Sequence, residues 1–103
     1  MPNYVFAYHG GKAPETPEEG AAVMQKWTAW MGAIAANLVD GGAPVGASQT
    51  VSADGVAEGG GANPLSGYTI IRADDMAAAT GIAKTCPIIE SGGTVEVAEA
   101  MEM

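Results

Sequence analysis

Residues 16–42, TPEEGAAVMQKWTAWMGAIAANLVDGG, decide the fold because they contain the strongest helix signal in the chain. Thr16 can cap the amide of Glu19, Glu19 can reach back to the Thr16 amide, and Pro17 occupies the first helical position. Apolar side chains then recur at spacings of three and four residues, at Val23, Trp27, Trp30, Met31, Ile34 and Leu38. The pattern predicts one long helix with an apolar stripe facing a sheet, ended by Asp40-Gly41-Gly42.

Alternating and β-branched segments on both sides of this helix predict the strands of that sheet. They are residues 4–9, a weaker candidate at 45–51, residues 68–71 and residues 94–98. A second helix is expected to start at a cap formed by Asp74 or Asp75 and to end at Pro87. The resulting order, β-α-β-β-α-β, is the split β-α-β arrangement of the ferredoxin-like α+β fold. We expect residues 1–103 to form one such domain, with a long glycine-rich loop at 52–66.

The composition limits the size of the core and the kind of partner. Among 103 residues there are 20 alanines and only two leucines, Leu38 and Leu65, so little bulky apolar material is available. Two helices cover one face of a four-stranded sheet, and neither face of residues 4–8 suits water. We therefore expect a homodimer in which the sheets pack face to face.

Charge and hydropathy exclude several classes of function. The net charge is −8 and no cluster of Lys or Arg is present, which argues against binding to nucleic acid or to an anionic membrane. No segment has the length of a membrane span, and the first residues lack the pattern of a signal peptide. One cysteine, Cys86, allows no internal disulfide and is expected to be a buried thiol. These features predict a cytoplasmic protein.

His9 is the candidate catalytic residue, since it is the one histidine in the chain and histidine is the residue type best suited to acid–base chemistry near neutral pH. The first half of the long helix should face it, so Trp27 and Trp30 are the candidate ligand-binding residues that would form the walls of an apolar pocket. Such a site suits a small, flat, acidic organic ligand. The alternative is a histidine hydrogen-bonded to a nearby carbonyl at the end of its strand, with both tryptophans in an ordinary core.

Asp40 is a further candidate ligand-binding residue, because it could supply a carboxylate. The predicted topology places it at the other end of the protomer from His9, so a His9–Asp40 pair would have to form across a dimer. One His and one Cys far apart predict no metal site, and the glycine runs do not form a phosphate-binding loop. We expect no cofactor.

Four phrases, in this order and spacing, resemble the YCII-related (YciI-like) proteins over essentially the whole chain. They are residues 4–8 (YVFAY), 39–44 (VDGGAP), 66–71 (SGYTII) and 92–97 (GGTVEV). The Asp54-Gly55 segment followed by Gly67-Tyr68 is also similar to the related DGPF-domain proteins. The resemblance implies a dimeric α+β barrel with a pocket between sheet and helices. No reaction is established for that family as a whole.

The chain departs from this family at the residues that would carry chemistry. Members commonly have an Asp near the end of the first strand and a His on the first helix, whereas this chain has His9 on the strand and tryptophans on the helix. The acid–base pair is therefore not carried over. Our first hypothesis is a small-molecule-binding or catalytic pocket. The alternatives are a non-catalytic ligand-sensing or interaction module, and a cofactor-free monooxygenase or isomerase, the last resting on analogy of fold alone.

Overall fold

The computed structural model describes residues 1–102 as two helices on one side of a four-stranded antiparallel sheet, with an additional hairpin. The elements are β1 (Asn3–His9), α1 (Pro17–Ala33), β2 (Leu38–Pro44), β3 (Gln49–Ser52), β4 (Gly55–Glu58), β5 (Leu65–Arg72), α2 (Met76–Ala83) and β6 (Thr94–Glu99). The sheet order is β2-β5-β1-β6, which is the ferredoxin-like order once the β3–β4 hairpin is set aside. The predicted fold class is confirmed.

The capping residues act much as the sequence predicts. The Thr16 hydroxyl accepts a hydrogen bond from the Glu19 amide at 3.1 Å. The Glu19 carboxylate reaches back to the Glu15 amide at 2.8 Å, one residue before the expected Thr16 amide. Of the two candidate caps for α2, Asp75 is the one used, and its carboxylate accepts from the Ala78 amide at 2.8 Å. Both helix starts are therefore local properties of the sequence.

The end of α1 differs from the prediction. The helix stops at Ala33, and Leu38 already belongs to β2, opposite Ile71. Asn37 holds this exit, because its carbonyl accepts from the Arg72 amide and its side-chain amide donates to the Arg72 carbonyl, at 2.8 and 2.9 Å. Leu38 thus packs against the core, as the apolar spacing predicts, but it does so from a strand instead of a helix.

The segment after α1 also differs from the prediction. The second strand of the sheet is Leu38–Pro44, not residues 45–51, and Asp40 lies in this strand instead of at a helix end. Part of the expected loop at 52–66 forms the β3–β4 hairpin. Helix propensity and apolar spacing extend the predicted helix too far here, since pairing with β5 supplies hydrogen bonds that the local pattern does not reveal.

The core lies between the helices and one face of the sheet. Alternate residues of β1, Tyr4, Phe6 and Tyr8, are buried there, in register with Ile71, Thr69 and Gly67 of β5. Cys86 is also in this core, 2% exposed, as predicted. Burial raises the pKa of its thiol, so it is a poor nucleophile. The opposite sheet face has no helix over it, and Val5, Ala7 and Ile70 on that face are only partly buried.

Candidate functional site

A cleft of about 740 Å³ lies between α1 and the strands β1, β2 and β5. This volume falls in the range of pockets that hold small organic ligands. Most of its walls come from α1, β2 and β5, and single residues elsewhere complete them. The lining residues are Gly20, Val23, Met24, Trp27, Thr28 and Met31 of α1, Gly41–Pro44 of β2, Ser66–Thr69 of β5, and Tyr8, Pro14 and Ile88.

The α1 wall of the cleft is apolar and centred on Trp27. Val23, Trp27 and Met31 are spaced by four residues and so lie along one face of the helix. The half-buried Trp27 ring meets Tyr8 edge to face, with centroids 5.3 Å apart and planes at 72°. It meets Trp30 in the same manner at 5.7 Å and 89°. Edge-to-face contacts on two sides hold the indole in place before any ligand binds.

Hydroxyl groups form the polar side of the cleft. The Tyr8 hydroxyl donates to the Thr69 hydroxyl at 2.7 Å, and Thr69 donates to the Gly41 carbonyl at 3.2 Å. Burial raises the pKa of Tyr8 above its ordinary value, so the phenol remains protonated and is a hydrogen-bond donor at neutral pH. These hydrogen bonds connect β1, β5 and β2 and fix the positions of the Tyr8 and Thr69 hydroxyls at the base of the cleft.

Among the described residues that line the cleft, Ser66 is the one with a buried side-chain polar atom that has no hydrogen-bond partner. Its hydroxyl oxygen is inaccessible to solvent and has no hydrogen-bond partner. A buried hydroxyl without a partner is costly, and a ligand could remove that cost only if the Ser66 side chain rotated toward the cleft.

The lining residues within positions 1–102 include no carboxylate, imidazole, amine or thiol. The cleft therefore offers aromatic surface, thioethers and hydroxyls, which suit the binding of a flat, uncharged molecule. It offers no acid–base pair of the kind that His9 and Asp40 would have formed.

His9 is not among the described residues that line this cleft, because it points to the opposite face of β1 from Tyr8. Its ring contacts the Asn63 carbonyl through Nδ1 and the Glu96 carboxylate through Nε2, each at 3.0 Å. Both partners are acceptors, so both contacts are hydrogen bonds only when both ring nitrogens carry a proton. His9 thus joins the segment before β5 to β6. A catalytic role for it stays a prediction that this geometry does not favour.

We expect His9→Ala to lower the free energy of unfolding by about 1 kcal/mol, because it removes the contacts of the ring with the Asn63 carbonyl and the Glu96 carboxylate at a site that is mostly exposed on the Glu96 side. Chemical denaturation measures this loss. A catalytic or ligand-contacting His9 would instead change ligand affinity by a much larger factor than stability, which the same variant can reveal.

The structure separates the roles of the two predicted tryptophans. Trp30 is 6% exposed and its indole N–H donates to the Thr85 hydroxyl at 2.8 Å. It supports Trp27 from behind and, in the described chain, is not part of the cleft wall. Of the two tryptophans, Trp27 is the one that lines the cleft, and a ligand-binding role for Trp30 stays a prediction.

Asp40 is exposed and serves its own strand. Its carboxylate accepts from the Gly42 amide at 2.8 Å, a contact typical of an Asp two residues before a turn. Asp40 pairs with Ile70, and Ile70 pairs with Val5. Val5 lies four residues from His9, so Asp40 and His9 are separated by about 13 Å along the strand direction. Within one protomer the two side chains are not brought together, as expected. A ligand-binding role for Asp40 stays a prediction.

Several cleft residues were not singled out by the sequence. Tyr8 belongs to the alternating first strand, so the sequence shows that it shares a face with Tyr4 and Phe6, but not that this face is inward or which residues lie across the sheet. Ser66 and Thr69 carry no pattern of their own and join the cleft through strand register alone.

Residues 1–102 contain no group of three His, Cys, Asp or Glu side chains that could hold a metal ion. No helix in the same range is long and apolar enough to cross a membrane.

Fold and cleft together define a ferredoxin-like α+β protein with an apolar, ligand-sized cleft. No family model matches the chain, and no curated protein matches it significantly. Among solved structures, it is similar to 5-chloro-2-hydroxyhydroquinone dehydrochlorinase from Burkholderia phenoliruptrix, solved in complex with 2,5-dihydroxybenzoquinone. The TM-score is 0.57 at 13% identity, over 96% of this chain and 95% of that chain. This likeness establishes the shared fold.

Proposed function

We propose that this chain is a YCII-related protein that binds a flat organic molecule in the cleft between α1 and the sheet. The observation that carries the proposal is the position of Trp27, which is held by Tyr8 and Trp30 but remains only half-buried on the wall of a cleft of about 740 Å³. An indole fixed in this way presents aromatic surface at small entropic cost, which is the property that recognition of a flat ring requires.

The ligand class follows from the lining. Without a charged group among the described lining residues, an ionised ligand would lose its hydration and gain no counter-charge. We therefore favour an uncharged ring that bears hydroxyl or keto groups over the acidic ligand predicted from His9. The similar dehydrochlorinase was solved with a hydroxylated ring, 2,5-dihydroxybenzoquinone, so hydroxylated rings that stay uncharged at neutral pH, such as phenols, are the first ligands to test.

The absence of an acid–base pair among the described lining residues favours binding over proton-transfer chemistry. Two of our hypotheses, a ligand-sensing module and an enzyme, thus share one site. They differ in whether a bound ligand is altered. The sensing module is the better supported of the two, since no carboxylate, imidazole, amine or thiol lies among the described lining residues.

The homodimer is part of the same proposal. The sheet face that carries Val5, Ala7 and Ile70 has no helix over it, and a second copy of the same face would cover it. Such a pairing would leave the cleft on the helix side of each protomer free to take a ligand.

The test of ligand binding uses hydroquinone and phenol, which are uncharged at neutral pH, as probes, with amide chemical shifts as the readout. We expect shifts at Trp27 and Ser66, and an affinity that falls at least tenfold in Trp27→Ala, because a flat ring loses its stacking surface. Met76→Ala is the matched control, an exposed apolar residue on α2.

Affinity that is equal in Trp27→Ala and in the wild type would remove Trp27 from the site. Failure of both probes, followed by a broad screen of phenols and quinones that produces no thermal stabilisation, would overturn the proposed ligand class.

A further inference from the structure

The β3–β4 hairpin, residues 49–58, forms an arm inserted between two strands of the sheet. The pairs Gln49–Glu58, Thr50–Ala57, Val51–Val56 and Ser52–Gly55 hold it together, and the chain turns through Ala53 and Asp54. The arm connects β2 to β5, so it leaves the body of the protein beside Pro44 and Ser66 at the rim of the cleft.

The arm has no core of its own. All eight residues of its two strands are exposed. Val51 and Val56, which are directly paired and so share one face, are 74% and 64% exposed. A hairpin of this length is marginally stable in water unless one of its faces is covered. The valine pair is the apolar face that such a cover would use.

The accessible surface of the protein is larger than that of a compact monomer of the same mass. Its accessible area is 6751 Å², whereas a compact monomer of 10.3 kDa exposes about 5,400 Å². Its radius of gyration is 14.7 Å, against about 13 Å for a compact domain of this length. The excess of about 1,350 Å² is larger than the roughly 800 Å² that each partner contributes to a stable interface. A second copy of the chain therefore has enough area to bind.

We propose that the arm packs Val51 and Val56 against a second copy of this chain, in addition to the contact between the open sheet faces. This inference rests on the homodimer of the proposed function and adds a second, separate contact to it. Each copy would then contact the other through its arm, which leaves the body of the protein at the rim of the cleft.

Charge supports an apolar contact over an ionic one. Each copy carries a net charge of −8, so two copies repel at long range. Glu58 lies on the same face of the arm as the valine pair and accepts a hydrogen bond from Gln49 at 3.1 Å. Association through this face should therefore strengthen as salt screens the repulsion.

The test is sedimentation velocity of the full chain over a wide concentration range, comparing the wild type with Val51→Thr/Val56→Thr. Threonine keeps the shape and strand preference of valine but removes apolar area, so the hairpin is retained while its contact weakens. We expect the dissociation constant of the dimer to rise at least tenfold. The matched control, Ala57→Ser on the other face of the same hairpin, should change it less than twofold.

A third variant, Ile70→Thr on the open sheet face, distinguishes failure of the arm from failure of the homodimer. If Ile70→Thr weakens the dimer and the double valine variant does not, the arm contact is overturned and the homodimer stands. A wild type that remains monomeric up to millimolar concentration overturns both. Equal weakening by the double valine variant and by Ala57→Ser also counts against a valine contact.

Discussion

Gly42→Ala is expected to lower the free energy of unfolding by about 3 kcal/mol or more. Gly42 has φ = +70°, a conformation that costs other residues about 1–2 kcal/mol. A Cβ atom added there would lie 1.8 Å from the carbonyl oxygen of Tyr68, a backbone atom in the central part of the sheet that has no freedom to move aside. The substitution must therefore separate β2 from β5.

The neighbouring glycine provides the matched control. A Cβ atom at Gly41 would meet nothing within 4 Å, and Gly41 does not have a positive φ. Gly41→Ala should change stability by less than about 1 kcal/mol. Thermal melting measures both variants, and the difference of about 2 kcal/mol or more should separate their midpoints by roughly 8 °C or more. Similar melting midpoints for the two variants would mean that β2 does not pair with β5 in the observed register.

The second large effect is expected for Trp30→Ala, which should lower the free energy of unfolding by about 3–5 kcal/mol. Trp30 is 6% exposed, packs edge to face on Trp27 and donates a hydrogen bond to Thr85. The substitution removes a large buried side chain and leaves the Thr85 hydroxyl without this donor. Because a domain of this size is stabilised by only about 5–15 kcal/mol, the variant loses a large part of its total stability.

Trp30→Phe tests the same residue without the risk of complete unfolding. It keeps an aromatic ring but removes the indole N–H, so it should cost about 1–3 kcal/mol, less than Trp30→Ala. Chemical denaturation compares the two. If Trp30 were instead a surface ligand contact, both variants would be nearly as stable as the wild type and would differ mainly in probe affinity, contrary to the burial described here.

Trp27→Ala offers a useful contrast to these variants. Trp27 is only half-buried, so its loss should cost less stability than the loss of Trp30 and should weaken probe binding more. Two tryptophans three residues apart on one helix thus have different expected consequences, which follow from their depth in the fold and not from their residue type.

Some parts of this protein were determined by local sequence. The caps at Thr16 and Asp75, the inward alternation of Tyr4, Phe6 and Tyr8, and the burial of Cys86 all depend on neighbours within a few residues or on an apolar period. Such signals are short-range, so the helix starts and the alternation along β1 could be predicted, and with them the α+β order.

Other parts depended on contacts between distant residues. The helix ends at Ala33 because Asn37 bonds to Arg72, and Asp40 lies in a strand because β2 pairs with β5. The hydroxyl side of the cleft joins Tyr8 to Thr69, 61 residues away. His9 faces away from the cleft because each strand residue points opposite to its neighbour, and only the packed helices decide which side becomes the cleft. By itself the sequence determined where the two helices start, the α+β order and the alternation along β1. The tertiary structure decided register and the composition of the site, since both depend on pairing energies between segments that no local pattern encodes.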